Sequence, residues 1–156
     1  MRAAALAALA IVLAACSTPS APAVAFTCAD ASGGTPGNVH ITDVRVSQEP
    51  GFDRFVIQFD GTVPAFTVKR QAKPVFSQGG SGQTITLSGT AGILVQLHTA
   101  TQAGTYSGST DFTQADFRVL KEARLTEDFE GYVGWDWASA RPRACGFSRP
   151  RPALRA

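Results

Sequence analysis

Between Asn38 and Gly61 the chain reads NVHITDVRVSQEPGFDRFVIQFDG, two β-branched and aromatic runs joined by Pro50-Gly51. In the second run Phe55, Ile57 and Phe59 share one parity and Arg54, Val56 and Gln58 the other, the period of two of a half-buried strand. In the first run Val39 and Ile41 share one parity and Val44 and Val46 the other. All four can face inward only if an extra residue is inserted near Thr42-Asp43, so the pattern predicts a β-bulge there. Pro50 presets the first central position of a turn and Gly51 supplies the positive φ of a type II turn, which predicts a hairpin.

The alternation recurs downstream. Phe66 and Val68 alternate with Thr67 and Lys69, behind a Pro64 that suits a strand start or a sheet edge. Ile85 and Leu87 alternate in one run and Ile93, Val95 and Leu97 in the next, and Ser88-Gly89 between them predicts a second hairpin. Phe117, Val119 and Leu125 read as a strand, although Val119, Leu120 and Ala123 also fit a helical turn. In the last run Val133, Trp135 and Trp137 form one face, taken as core, opposite Tyr132 and Asp136. Strands are therefore predicted near residues 39–47, 53–59, 66–69, 84–88, 92–98, 117–125 and 132–137.

Two stretches break the alternation. Ser77–Gln83 (SQGGSGQ) reads as a flexible loop and lacks the Lys-Ser/Thr and following helix of a phosphate cradle. Thr99–Thr113 is a long loop that carries Tyr106 amid small polar residues. No stretch beyond the first residues sustains a helical repeat, and 15 glycines suit many tight reversals between short strands. The prediction is an all-β domain.

The ordering HITDVRV, short turn, GFDRFVIQFDG, followed much later by LTEDFEGYVGW, resembles the AMIN-like domain of bacterial envelope lipoproteins, a relative of the AMIN modules of cell-wall amidases. The resemblance runs from about Asn38 to Trp137. It implies a small two-sheet β-sandwich, export to the envelope and, by analogy with AMIN modules, binding of cell-wall polymer. No catalytic residues come with it.

The chain opens MRAAALAALAIVLAAC, a lone Arg2, an apolar run and small residues before Cys16. This reads as a secretion signal too short to span a bilayer permanently. The small residues before the cysteine resemble a lipobox, in which Cys16 is lipidated and becomes the new amino terminus; an ordinary signal peptide cleaved nearby is the alternative. Each buried methylene of the acyl chains contributes about 0.8 kcal/mol, and two or three chains hold where one does not. The expected location is thus the extracytoplasmic face of the cell membrane. Ser17–Ala25 (STPSAPAVA) is small and Pro-rich and reads as a tether. The expected organisation is signal peptide 1–15, lipidated cysteine and tether 16–36, β domain 37–140 and an Arg/Pro-rich tail 141–156.

The net charge of +2 hides an asymmetry. From Cys16 to Ala140 there are eight Lys/Arg and twelve Asp/Glu, whereas the tail RPRACGFSRPRPALRA adds five Arg and no acid. An acidic body lacks the footprint of a nucleic-acid groove, so no nucleic-acid partner is expected. The tail reads either as a basic arm for anionic surfaces or as a frame-shifted remnant; in the second case the closing apolar strand that the resemblance implies is missing. Cys28 and Cys145 form an even pair in an exported chain and are expected to bridge, although Cys145 lies where the family pattern breaks down.

Chemistry is sparse. Only His40 and His98 are present, both in predicted strands, and no nucleophile elbow or zinc-binding motif occurs. Glu127, Asp128 and Glu130 could supply a carboxylate pair, but clustered acids in a turn are ordinarily solvated. The domain therefore reads as a non-enzymatic module with no cofactor or metal, binding wall glycan or peptidoglycan, or else another envelope protein. A sugar-binding surface needs aromatic faces with a few orienting polar groups, and the candidates are Arg54, Tyr106, Tyr132 and Asp136.

Overall fold

The computed structural model of the protein describes residues 29–141. Cys16, Cys28, Cys145 and all but the first residue of the tail lie outside the described residues, and with them the expectations for lipid, disulfide and closing strand. Within that span the fold is all-β, with eleven strands: β1 (Ala31–Gly33), β2 (Val39–Glu49), β3 (Phe52–Phe59), β4 (Phe66–Gln71), β5 (Val75–Ser77), β6 (Thr84–Thr86), β7 (Ala91–His98), β8 (Ala100–Thr101), β9 (Asp111–Thr113), β10 (Leu120–Phe129) and β11 (Tyr132–Ser139).

A six-stranded sheet in the order β1-β4-β7-β11-β10-β9 packs on a three-stranded sheet in the order β3-β2-β8. The alternating apolar sets meet between them. Val39, Ile41 and Val44 of β2 face Ile93, Val95 and Leu97 of β7 and Val133 and Trp135 of β11, with Phe55, Ile57, Phe59 and Trp137 packed around that centre. Phe55 lies 5.6 Å from Trp135 and 4.9 Å from Trp137, ring centre to ring centre, tying the two sheets together with aromatic contacts.

The β2–β3 hairpin follows from its sequence. Its register shifts between Ile41 and Asp43, which is the bulge that lets Val39, Ile41 and Val44 all reach the core. Gly51 has φ 91° at the Pro50-Gly51 turn, as the type II reading requires. Asp53, beside that turn, does not pair with Arg54. Its carboxylate accepts the backbone N–H groups of Val119 at 2.6 Å and Leu120 at 2.9 Å, fastening the small sheet to the start of β10 in the large one.

Other expectations need correction. β6 does not form a hairpin with β7; it pairs with β5 across the Ser77–Gln83 loop, while β7 pairs with β4 and β11. The reason is burial on the outer face of the large sheet, where Phe76 and Leu87 pack on Ala138 with Ile85 and Leu94 beside them. The predicted strand over 117–125 begins only at Leu120, because Phe117 closes a turn onto the carbonyl of Gln114. The long loop 99–113 begins and ends in short strands, β8 and β9. Between β7 and β8, Thr99 takes φ 59°, a strained value for a β-branched residue, where the chain crosses from one sheet to the other; its hydroxyl donates to Gly37 O at 2.7 Å.

Candidate functional site

Along β11 the positions facing away from the sandwich core are Tyr132, Gly134, Asp136 and Ala138, and their neighbours on β7 include His98 opposite Tyr132, Gln96 opposite Gly134 and Gly92 opposite Ala138. In a bare sandwich this outer face would be wet and a polar Asp136 unremarkable. Here the β5–β6 hairpin folds over it. The lid is held at two points: Gly79 N–H donates to Thr126 O at 2.9 Å, and Ser88 N–H donates to the Glu122 carboxylate at 2.7 Å. Asp136 is left 1% exposed.

A buried carboxylate requires hydrogen-bond donors, and the local backbone supplies them. Asp136 Oδ1 accepts the N–H of Val95 at 3.0 Å, and Oδ2 accepts the hydroxyl of Thr126 at 2.8 Å. Thr126 reaches it because β10 carries a bulge between Leu125 and Glu127, which re-aims the inserted residue. Burial pushes the Asp136 carboxyl up to about 6; the bonds from Thr126 and Val95 oppose the shift, and the negative charge of Glu127 adds to it.

Lid and sheet border an open-sided cavity of about 460 Å³, lined among others by Gln71, Gln96, Glu127 and Asp136 on the sheet side and by Val75, Phe76, Ser77 and Thr84 from the lid. Glu127 is half-buried, and among the described residues no cation pairs with it or with Asp136. One pleat further along the same face, about 7 Å on, Tyr132 and His98 meet edge-on at 4.8 Å. Tyr132 is 43% exposed and its β10 partner Phe129 56% exposed, so an aromatic ledge adjoins the polar cavity.

Of the four predicted contact residues, the structure brings two together on this face, Tyr132 and Asp136. Arg54 lies on β3 in the other sheet, 3.8 Å from Glu49 and 5.8 Å above the Phe52 ring. Tyr106 is half-buried against the core and its hydroxyl donates to Ser109 O at 2.8 Å, so it pins its loop; burial, then the charge of Asp43, raises its phenol. His40 sits apart at the surface, its backbone N–H and ring Nδ1 both 2.8 Å from the Asp60 carboxylate, and the backbone bond leads the causes that lower the Asp60 pKa. Gln96 and Thr126 are not marked as site residues by the sequence, and Glu127 stands there only in an acidic cluster read as solvated. The polar Gln96 within the apolar run ILVQLH was the available signal, since it marks an outward position on a strand whose other face is core.

Two carboxylates, two amides and an aromatic ledge in one concave face can orient hydroxyl, amide or amine groups and stack a ring. Among the described residues no three His, Cys, Asp or Glu side chains converge as metal ligands, and no helix is long and apolar enough to cross a membrane. The family model for the AMIN-like domain matches residues 39–144. No curated protein and no solved structure matches the chain.

Proposed function

The chain belongs to the AMIN-like domain family, whose modules are associated with the cell envelope and are as a rule non-catalytic, and from this premise we propose that it is an exported lipoprotein whose β-sandwich binds cell-wall polymer. In this reading acyl chains on Cys16 hold it at the extracytoplasmic face of the membrane, and Ser17–Ala25 spaces the domain from the bilayer. The observation that carries the binding role is the outer face of the large sheet, where the Tyr132–His98 ledge runs into the cavity floored by Gln96, Glu127 and Asp136. A sugar ring stacks on an exposed aromatic face while carboxylates and amides take its polar groups.

The test is sedimentation of the full chain with purified cell-wall sacculi. Binding is expected, and Tyr132→Ala is expected to weaken it about tenfold, against no effect of Arg54→Ala on the opposite sheet. Binding that is indifferent to Tyr132 overturns the assignment of the face. Release of soluble wall fragments during the incubation would instead favour a hydrolase. For the anchor, Cys16→Ser is expected to leave the protein unprocessed or soluble; recovery of the unaltered protein wholly in the soluble exported fraction overturns that part of the reading.

A further inference from the structure

The cavity under the β5–β6 lid has a charge imbalance that a neutral sugar leaves uncompensated. Asp136 is nearly fully buried and Glu127 half-buried, both line the same space, and the negative charge of Glu127 acts on Asp136. The arginine ion pairs among the described residues join Arg45 to Asp43, Arg54 to Glu49, Arg70 to Asp30 and Arg124 to Asp111 and Glu122, and His40 faces Asp60; none reaches either carboxylate. Lys69 shares the face, opposite Leu94 in register, but is exposed and pairs with neither. Buried like charges without a counter-ion are costly, and the cost falls when a cation enters.

Asp136 also retains acceptor capacity. A carboxylate offers about four acceptor positions, and Val95 and Thr126 occupy one on each oxygen. The lid side is mixed, with the carbon surfaces of Val75 and Phe76 beside Ser77 and Thr84, and Leu94 adds apolar surface on the sheet side. Two carboxylates without a third acidic or imidazole ligand make a poor cage for a hard metal ion, which takes six or more oxygens. A hollow with two acids on the sheet side and the carbon surfaces of Val75, Phe76 and Leu94 within reach matches a protonated primary amine on a short aliphatic stem. The amine spends its donors on the carboxylates and the stem lies along the lid.

We propose that the Glu127–Asp136 cavity is an ammonium-binding subsite that takes the side-chain amine of a diamino acid in the stem peptide of the wall polymer, while the polymer backbone lies over the Tyr132 ledge. The proposal rests on the wall-binding reading above and goes beyond it by naming the group recognised.

The test uses the full chain and three probes: a lysine-containing stem tetrapeptide, the same peptide with its side-chain amine acetylated, and an oligomer of glucosamine. Titration is expected to show the free-amine peptide binding at least tenfold more tightly than the acetylated one. Glu127→Gln and Asp136→Asn are each expected to erase most of that ratio while the melting temperature holds or rises. Equal binding of the two peptides overturns the subsite, and so does a ratio that survives both variants. Preference for the glucosamine oligomer over the peptide overturns the aliphatic stem and points to an amino sugar. Sacculi with acetylated amines separate the two levels of inference. If they sediment the protein as untreated sacculi do, wall binding stands and the ammonium subsite falls; if neither kind binds it but the peptide ratio holds, the subsite stands and the wall reading falls.

Discussion

At the scale of single residues, Asp136 carries the most physical consequence. Its folded pKa of about 6 lies above the ordinary 3.8, so the native state holds the proton more tightly than the unfolded chain between those values. Its contribution to stability is therefore most favourable below about pH 4 and is lost as pH rises through 6, a swing of roughly 3 kcal/mol. Asp136→Asn keeps an acceptor for Val95 N–H and removes the charge. The expected result is higher stability at pH 7.5, with the pH 4.5 to 7.5 slope flattened, measured as urea midpoints at the two values. Asp60 works in the opposite sense: its pKa is lowered, first by the backbone N–H of His40, so its small favourable contribution is present above the ordinary value and fades as pH falls through the folded one. Tyr132 and Asp136 were legible in the sequence as outward positions of the last strand, because parity alone fixes the face. That one would be exposed and the other buried was not legible, since parity says nothing of what lies over a face.

At the scale of elements, the β2–β3 hairpin was readable to its bulge, because four apolar residues of mixed parity leave no other way to bury them all. Strands of two or three residues, such as β1, β5, β8 and β9, are too short to show a period. The pairing of β6 misled for a different reason: the turn signal at Ser88-Gly89 is real, but which strand a run pairs with depends on where its side chains find burial, and Leu87 finds it on the outer face. Asp53 acts between elements. Asp53→Ala removes two charge-assisted hydrogen bonds to Val119 and Leu120 and is expected to cost about 2 to 3 kcal/mol, whereas Arg54→Ala, one residue on and exposed, is expected to change stability by less than about 0.5 kcal/mol; chemical denaturation of the two variants decides. Gly92 seats the lid: a Cβ there would lie 2.8 Å from Lys73 O and 2.8 Å from the Phe76 ring. Gly92→Val is therefore expected to lift the β5–β6 hairpin, increase the exposure of Asp136 and return its titration toward the ordinary carboxyl range, read by NMR of the side-chain carboxyl.

At the scale of the whole molecule, the two-sheet sandwich was foreseeable from alternation without helical period, while the order of its strands was not, since order is a property of long-range pairing. That order has a kinetic consequence. β11 is the final strand in the described chain yet lies inside the large sheet, between β7 and β10. Synthesis and export both deliver the amino end first, and before β11 emerges every pairing of the described strands except β7–β11 and β10–β11 has both partners at hand. β7 waits with one edge open until Tyr132–Ser139 arrives to fill the gap. The parallel bridge of Val39 to Ala100 is similarly remote in sequence. Assembly thus has the late, all-or-none character of high-contact-order folds, with an unpaired apolar strand exposed in the interval. A chain ending at Gly131 is expected to lack cooperative unfolding altogether in a calorimetric scan, and a synthetic 132–139 strand added in trans is expected to restore part of it. Holding back the central stave until the end keeps a half-made chain from closing into a stable but incomplete sandwich.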